Sequence, residues 1–152
     1  EHKLLSHLGP EPLGTGWSEK LLHKALRGRN VSIKSALLDQ KIVVGIGNIY
    51  ASEILFRAGV SPKRLAKNVS EKMANRIYDE TQIVLLTAIE AGGSTLKDGQ
   101  FKQIDGNLGY FPHEFAVYDR EDEICTSVEC SNIIKRMVQS GRSTFYCSRC
   151  QR

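Results

Sequence analysis

Cys125 and Cys130 are separated by four residues, Cys147 and Cys150 by two, with 16 residues between the pairs and no other cysteine in the chain. Two close thiol pairs a hairpin apart make the donor set of a tetrahedral four-thiolate zinc site. Two disulfides are the alternative, but disulfide scaffolds are cysteine-dense throughout a small secreted chain. One structural zinc is therefore expected on Cys125, Cys130, Cys147 and Cys150, with no open position left for water. The first spacing is wider than the commonest one and still within what such knuckles tolerate. Thiolate ligands also imply a reducing compartment, so a cytoplasmic protein is expected.

A second stretch with chemical potential is Gly45-Ile-Gly-Asn-Ile-Tyr-Ala-Ser-Glu53. It superficially matches a dinucleotide fingerprint, yet Tyr50 stands where the third glycine belongs and a helix, not a strand, precedes it. A helix–turn–helix with a Gly-Asn turn fits better. The N–H groups opening the helix from Ile49 form an anion site, and Asn48 either adds an amide bond to a phosphate or merely caps the helix. Positive charge gathers at Lys24, Arg27, Arg29 and Lys34, and again at Lys135, Arg136, Arg142, Arg149 and Arg152. Such clusters suit a polyanion if they share a face, and a solvated surface if they do not. The net charge of +4 and the pI near 8.9 favour neither.

Up to Gly93 the pattern that carries these groups reads as helical. Ser18 caps a helix with apolar Leu21, Leu22, Ala25 and Leu26, broken by Gly28, and Ser32 caps one carrying Ile33, Ala36, Leu37 and Leu38. A third helix runs from about Ile49 to Ala58 and stops at Gly59. The longest starts at Ser70 and places Met73, Ile77, Thr81, Val84, Leu85, Ala88 and Ile89 at three-to-four spacing. Ser94–His113 has no periodicity and reads as a long functional loop. Strands are expected at Phe115–Tyr118, Ile133–Gln139 and Ser143–Tyr146, with a Ser140-Gly141 turn. The four His residues are scattered and read as core or surface. Trp17, Tyr78 and Phe56 read as core.

The fold class predicted is thus mainly α with a small β zinc ribbon. The domains are residues 1–113, helical and including the 94–113 loop, and 114–152, the zinc finger. At 152 residues and 41% hydrophobic the chain can bury a core. It has no apolar run near the roughly 20 residues that cross a bilayer, so a soluble protein without a membrane partner is expected.

Taken together, Ile42-Val-Val-Gly-Ile-Gly-Asn-Ile-Tyr-Ala-Ser-Glu53, Gly92-Gly-Ser-Thr-Leu-Lys-Asp98, Gly109-Tyr-Phe111 and Gly141-Arg-Ser-Thr-Phe-Tyr-Cys-Ser-Arg-Cys-Gln151 resemble the C-terminal half of bacterial formamidopyrimidine-DNA glycosylase. The likeness starts near Leu4 and runs in order to the end. It implies a helix–two-turn–helix module and a zinc finger in a base-excision-repair enzyme. That enzyme removes oxidised purines such as 8-oxoguanine from duplex DNA and nicks the strand as an AP lyase. It further implies that Asn48 and Arg142 hold phosphates beside the flipped nucleotide, with Lys34 and Arg29 or Asn30 near the same backbone. Arg142 is also the family's proton donor in the second elimination, and about Thr95–Tyr110 matches the loop that closes over the extruded base. Tyr50 either lies near DNA or packs against the second helix. A monomer acting in the bacterial cytoplasm, at the nucleoid, is expected.

The family's N-terminal sandwich, with its terminal proline nucleophile, adjacent glutamate and catalytic lysine, has no counterpart in these residues. This chain alone is expected to be inactive. Competing readings are an endonuclease VIII-type glycosylase for oxidised pyrimidines and a non-enzymatic, zinc-dependent duplex-DNA-binding module.

Overall fold

A computed structural model describes residues 8–92 and 115–152 of the chain. The expected 94–113 loop, the Gly109-Tyr-Phe motif, His2, His7, His113 and Leu4 lie outside these residues. Among the described residues the first elements are four α-helices, α1 (Glu19–Leu26), α2 (Ile33–Leu38), α3 (Asn48–Ala58) and α4 (Glu71–Glu90), with a 3-10 turn over Ala66–Asn68. An antiparallel hairpin follows, β1 (Lys135–Gln139) and β2 (Arg142–Tyr146), in the register Lys135–Tyr146 to Gln139–Arg142.

The caps form as expected. Ser18, Ser32 and Ser70 accept from the N–H of Leu21, Ser35 and Met73, each supplying one of the acceptors a helix start lacks. α3 begins at Asn48, with Gly47 as its N-cap and no side-chain cap. Asn48 is therefore not the capping residue, and its amide is free for other partners.

Among the described residues two buried clusters result. The larger joins Trp17, Leu22, Leu26, Ile33, Leu37, Ile54 and Ile77 among the helices, and takes in Phe115. The smaller holds Val117, Cys125, Ile134, Phe145 and Cys147, with Phe56 packed on its edge. Trp17 packs on Tyr78 with ring centroids 5.0 Å apart, as core. Leu21 and Ile89, read as inward-facing from periodicity, are exposed.

Phe115–Tyr118 is not a strand. The N–H groups of Ala116, Val117 and Tyr118 bond to a side chain rather than to a neighbouring strand. Ile133 pairs only as an isolated bridge with Ile124, so β1 starts at Lys135. The hairpin turn is Ser140-Gly141 as read, with φ of 51° and 79°. Positive φ at both turn positions is the twist a two-residue hairpin needs, and glycine adopts it without steric cost. At Gly9 a Cβ would meet the Ile42 carbonyl carbon and oxygen at 2.6 Å, and this close approach lets the leading segment bond Gln40 O. Among the described residues no helix is long and apolar enough to cross a membrane.

Candidate metal centre and anion clamp

The four cysteine sulfurs all lie within 4.8 Å of one another. Cys125 Sγ and Cys150 Sγ are 3.8 Å apart, and Cys130 Sγ and Cys147 Sγ 3.7 Å. A disulfide needs about 2.05 Å, so neither pair is bridged. A tetrahedron of sulfurs at about 2.3 Å from a central zinc has edges of about 3.8 Å. The residues fit one structural zinc ion, with every coordination position taken by sulfur.

The donor set needs a cation to ionise fully. Burial, with the neighbouring sulfurs and against a hydrogen bond involving Ser127, pushes the Cys150 thiol up to about 12. Burial also raises Cys147, whereas a backbone hydrogen bond at Asn132 lowers Cys130. A bound divalent ion inverts this and holds all four as thiolates.

The second constellation joins residues from α2, α3 and β2. The Lys34 ammonium donates to Asn48 Oδ1 at 2.5 Å, to Thr144 Oγ1 at 2.6 Å and to Ser143 O at 3.1 Å. The Asn48 amide donates to the same Ser143 carbonyl at 3.0 Å, and the Thr144 hydroxyl donates to Gln139 Oε1 at 2.9 Å. Gln139 in turn donates to Pro62 O at 3.1 Å, fastening the hairpin to the loop after α3. Arg142 stands at the start of β2, exposed, close enough to Lys34 to oppose its charge.

Lys34 thus differs from the surface cation read from its neighbours in sequence: it is 1% exposed. An ammonium has three protons, and all three are used within the protein. None of the three acceptors is a carboxylate, so the charge is hydrogen-bonded but not neutralised. Burial, then repulsion from Arg142, lowers its pKa to about 8.

Between pH 8 and the ordinary 10.5 the unfolded chain holds more protons than the fold, so this group makes the protein more stable as pH rises. In urea unfolding from pH 8 to 10, the wild type should gain on the order of 2–3 kcal/mol relative to Lys34→Met. Parallel pH profiles for the two proteins would show that Lys34 does not titrate in this window.

Other expected site residues fare differently. Tyr50 packs in the helical core, the second of the two placements read for it, and burial raises its phenol to about 12. Arg29 and Asn30 are exposed on the turn after α1, Arg29 Nε donating to Ala25 O at 2.6 Å, and are not part of the Lys34 network. The sequence reading missed Glu53. Its carboxylate is 3% exposed and accepts from the N–H of Ala116 at 2.8 Å, Val117 at 2.9 Å and Tyr118 at 2.8 Å. Burial raises its pKa, opposed by those three bonds and by Arg57. A lone carboxylate within the apolar run Ile49–Phe56 was the available signal, since a buried charge requires partners.

A family model described as "Formamidopyrimidine-DNA glycosylase H2TH domain" matches residues 8–100, and one described as "Zinc finger found in FPG and IleRS" matches residues 128–152. The second match begins after Cys125, which the geometry nonetheless places with the other three sulfurs. Formamidopyrimidine-DNA glycosylase from Ruegeria pomeroyi is 56% identical over 152 residues, and that from Dinoroseobacter shibae 53%. Each alignment covers 100% of this chain and 53% of the relative, so the chain spans about half the length of the curated relatives it matches.

Among solved structures, the MutM (Fpg) protein of Thermus thermophilus superposes with a TM-score of 0.86 at 42% identity, covering 97% of this chain and 55% of that one. The Lactococcus lactis enzyme, bound non-covalently to DNA containing an AP site, superposes with a TM-score of 0.83 at 32% identity, covering 98% and 52%.

Proposed function

Since this chain belongs to the formamidopyrimidine-DNA glycosylase family, carrying its H2TH domain and its zinc finger, we propose that it is the DNA-gripping C-terminal half of a base-excision-repair glycosylase and AP lyase for oxidised purines. Residues 1–113 serve as the helical DNA-binding domain and 114–152 as the zinc finger. The partner is duplex DNA holding a damaged or abasic nucleotide, met by one copy of the protein in the cytoplasm, at the nucleoid.

The observation that carries this is the Lys34–Asn48–Arg142 constellation. A buried ammonium without a carboxylate, an exposed guanidinium beside it and the opening N–H groups of α3 make a fixed positive site. Its natural complement is a phosphate. Arg142 reaches the DNA backbone from the hairpin turn and acts as proton donor in the second elimination. Asn48 offers its remaining amide proton to the adjacent phosphate. Lys34 acts through its charge and by holding Asn48 and β2 in place, since its three protons are already committed.

Arg142→Ala and Asn48→Ala should each weaken binding to an abasic-analogue duplex, and Arg142→Ala should lower the slope of log K against log salt by about 0.9. Undamaged duplex should be affected to the same extent. Unchanged affinity and slope in both variants would refute the clamp.

These 152 residues on their own should also lack glycosylase activity. A Schiff-base glycosylase needs an amine that is unprotonated near neutral pH, which suits a terminal α-amine far better than an ordinary lysine. Lys34, its pKa lowered to about 8, is 1% exposed with its protons committed within the protein. Pro10, Pro12, Pro62 and Pro112 are internal, with amide nitrogens that are not nucleophilic. Borohydride added to the chain with 8-oxoguanine duplex should trap no adduct. An adduct that persists after the terminal amine is blocked would place a competent lysine in this half.

A further inference from the structure

Helix α3 and strand β2 are joined at both ends. At one end lie the Lys34 and Asn48 bonds to Ser143 and Thr144. At the other, Cys147, which follows β2, meets the residues that follow α3 through a single side chain. Gln151 is 3% exposed. Its Oε1 accepts the Cys147 N–H at 2.8 Å and its Nε2 donates to Val60 O at 3.0 Å, while its backbone N–H donates to Cys147 O at 3.1 Å.

Val60 is itself held to α3, its N–H donating to Leu55 O at 3.0 Å. Arg152 backs the contact: its N–H donates to Gly59 O at 3.0 Å and its carbonyl accepts from Ser61 N–H at 2.9 Å. A buried primary amide with its oxygen on one element and its nitrogen on another is a two-ended strut. Removing it leaves a donor on Cys147 and an acceptor on Val60 desolvated and unpaired.

We infer that Gln151 is a positioning residue that carries the state of the zinc knuckle to the end of α3 and so sets the spacing of Asn48 and Arg142. Zinc fixes the Cys147 backbone, that backbone fixes the Gln151 amide, and the amide fixes Val60 and the last turn of α3. The consequence for DNA rests on the function proposed above, whereas the coupling between knuckle and helix does not.

The test is amide hydrogen exchange on the whole chain, zinc-loaded and then chelated, for wild type, Gln151→Ala and Gln151→Glu. In wild type, chelation should speed exchange at Val60 by roughly tenfold or more. In both variants the Val60 amide should exchange fast with one zinc still bound, and chelation should add less than about threefold, because the side-chain link to the Val60 carbonyl has been removed. Binding to an abasic-analogue duplex should fall roughly tenfold with an unchanged salt slope, since no phosphate contact is lost, in contrast to Arg142→Ala.

Equal chelation effects in wild type and variants would overturn the inference, as would loss of zinc from both variants, which would make Gln151 a determinant of metal retention instead. Lost coupling with DNA affinity unchanged in these variants and in Arg142→Ala would leave the strut standing and refute the DNA reading.

Discussion

Chelating the zinc should unfold residues 115–152 while most of the helical ellipticity of α1, α2 and α4 survives. The smaller cluster is only Val117, Cys125, Ile134, Phe145 and Cys147 with a few partly buried neighbours, and two of its members are themselves ligands. A core of that size does not offset the entropy of ordering the segment without the metal. Zinc contributes on the order of 10–16 kcal/mol of apparent binding energy in isolated fingers, which far exceeds what this cluster can supply. Elemental analysis should find one zinc per folded chain, and chelation should abolish the exchange protection of β1 and β2. Acid should do the same, because the ligands bind as thiolates and affinity falls as they protonate. Cys147→Ala should match chelation, since it removes one of the four thiolate donors at a fully buried position. A hairpin that stays protected after complete metal removal would contradict the site's structural role.

Glu53→Ala should destabilise the fold by upwards of about 3 kcal/mol, at about 1 kcal/mol or more for each of the three N–H groups left without an acceptor. Val117 is fully buried, so water cannot replace the carboxylate there. Against a typical domain stability of about 5–15 kcal/mol, a loss of that size is severe. The damage should centre on residues 115–118, which lead from the helical core at Phe115 to the zinc core at Val117. Glu53→Gln keeps one carbonyl acceptor but turns an NH2 toward donors, so its cost should fall between the wild type and Glu53→Ala. Urea unfolding of the zinc-loaded proteins measures both. A Glu53→Ala protein within about 1 kcal/mol of wild type, close to where surface substitutions usually fall, would show that this anchor is dispensable.

Residues whose role is local were legible from the chain. Ser18, Ser32 and Ser70 cap the helices they precede because a cap bonds only to the third residue along. The four-thiolate site was legible for a related reason: metal geometry constrains ligand spacing within each pair, and only a hairpin needs to close between them. The segment Phe115–Tyr118 was misread because Phe and Val carry strand propensity, while the acceptor that organises the N–H groups of Ala116 to Tyr118 lies 63 to 65 residues away on α3.

The order of residues alone is thus enough for the helices with their caps, the hairpin turn at Ser140-Gly141, the zinc ligands and the likeness to a DNA-repair family. Each is written in short-range spacing or in motif order. The fate of the long polar side chains emerges only once the elements have packed. Lys34, in a run of cations that reads as a surface patch, crosses 110 residues of sequence to bond Thr144 and becomes a buried, unneutralised charge. Gln151 reaches back 91 residues to Val60, and Tyr50 joins the helical core. A flexible polar side chain serves equally well in water or in a closed network. Which one it occupies depends on whether distant backbone groups arrive within about 3 Å with their own hydrogen bonds unmet, and no local pattern records that.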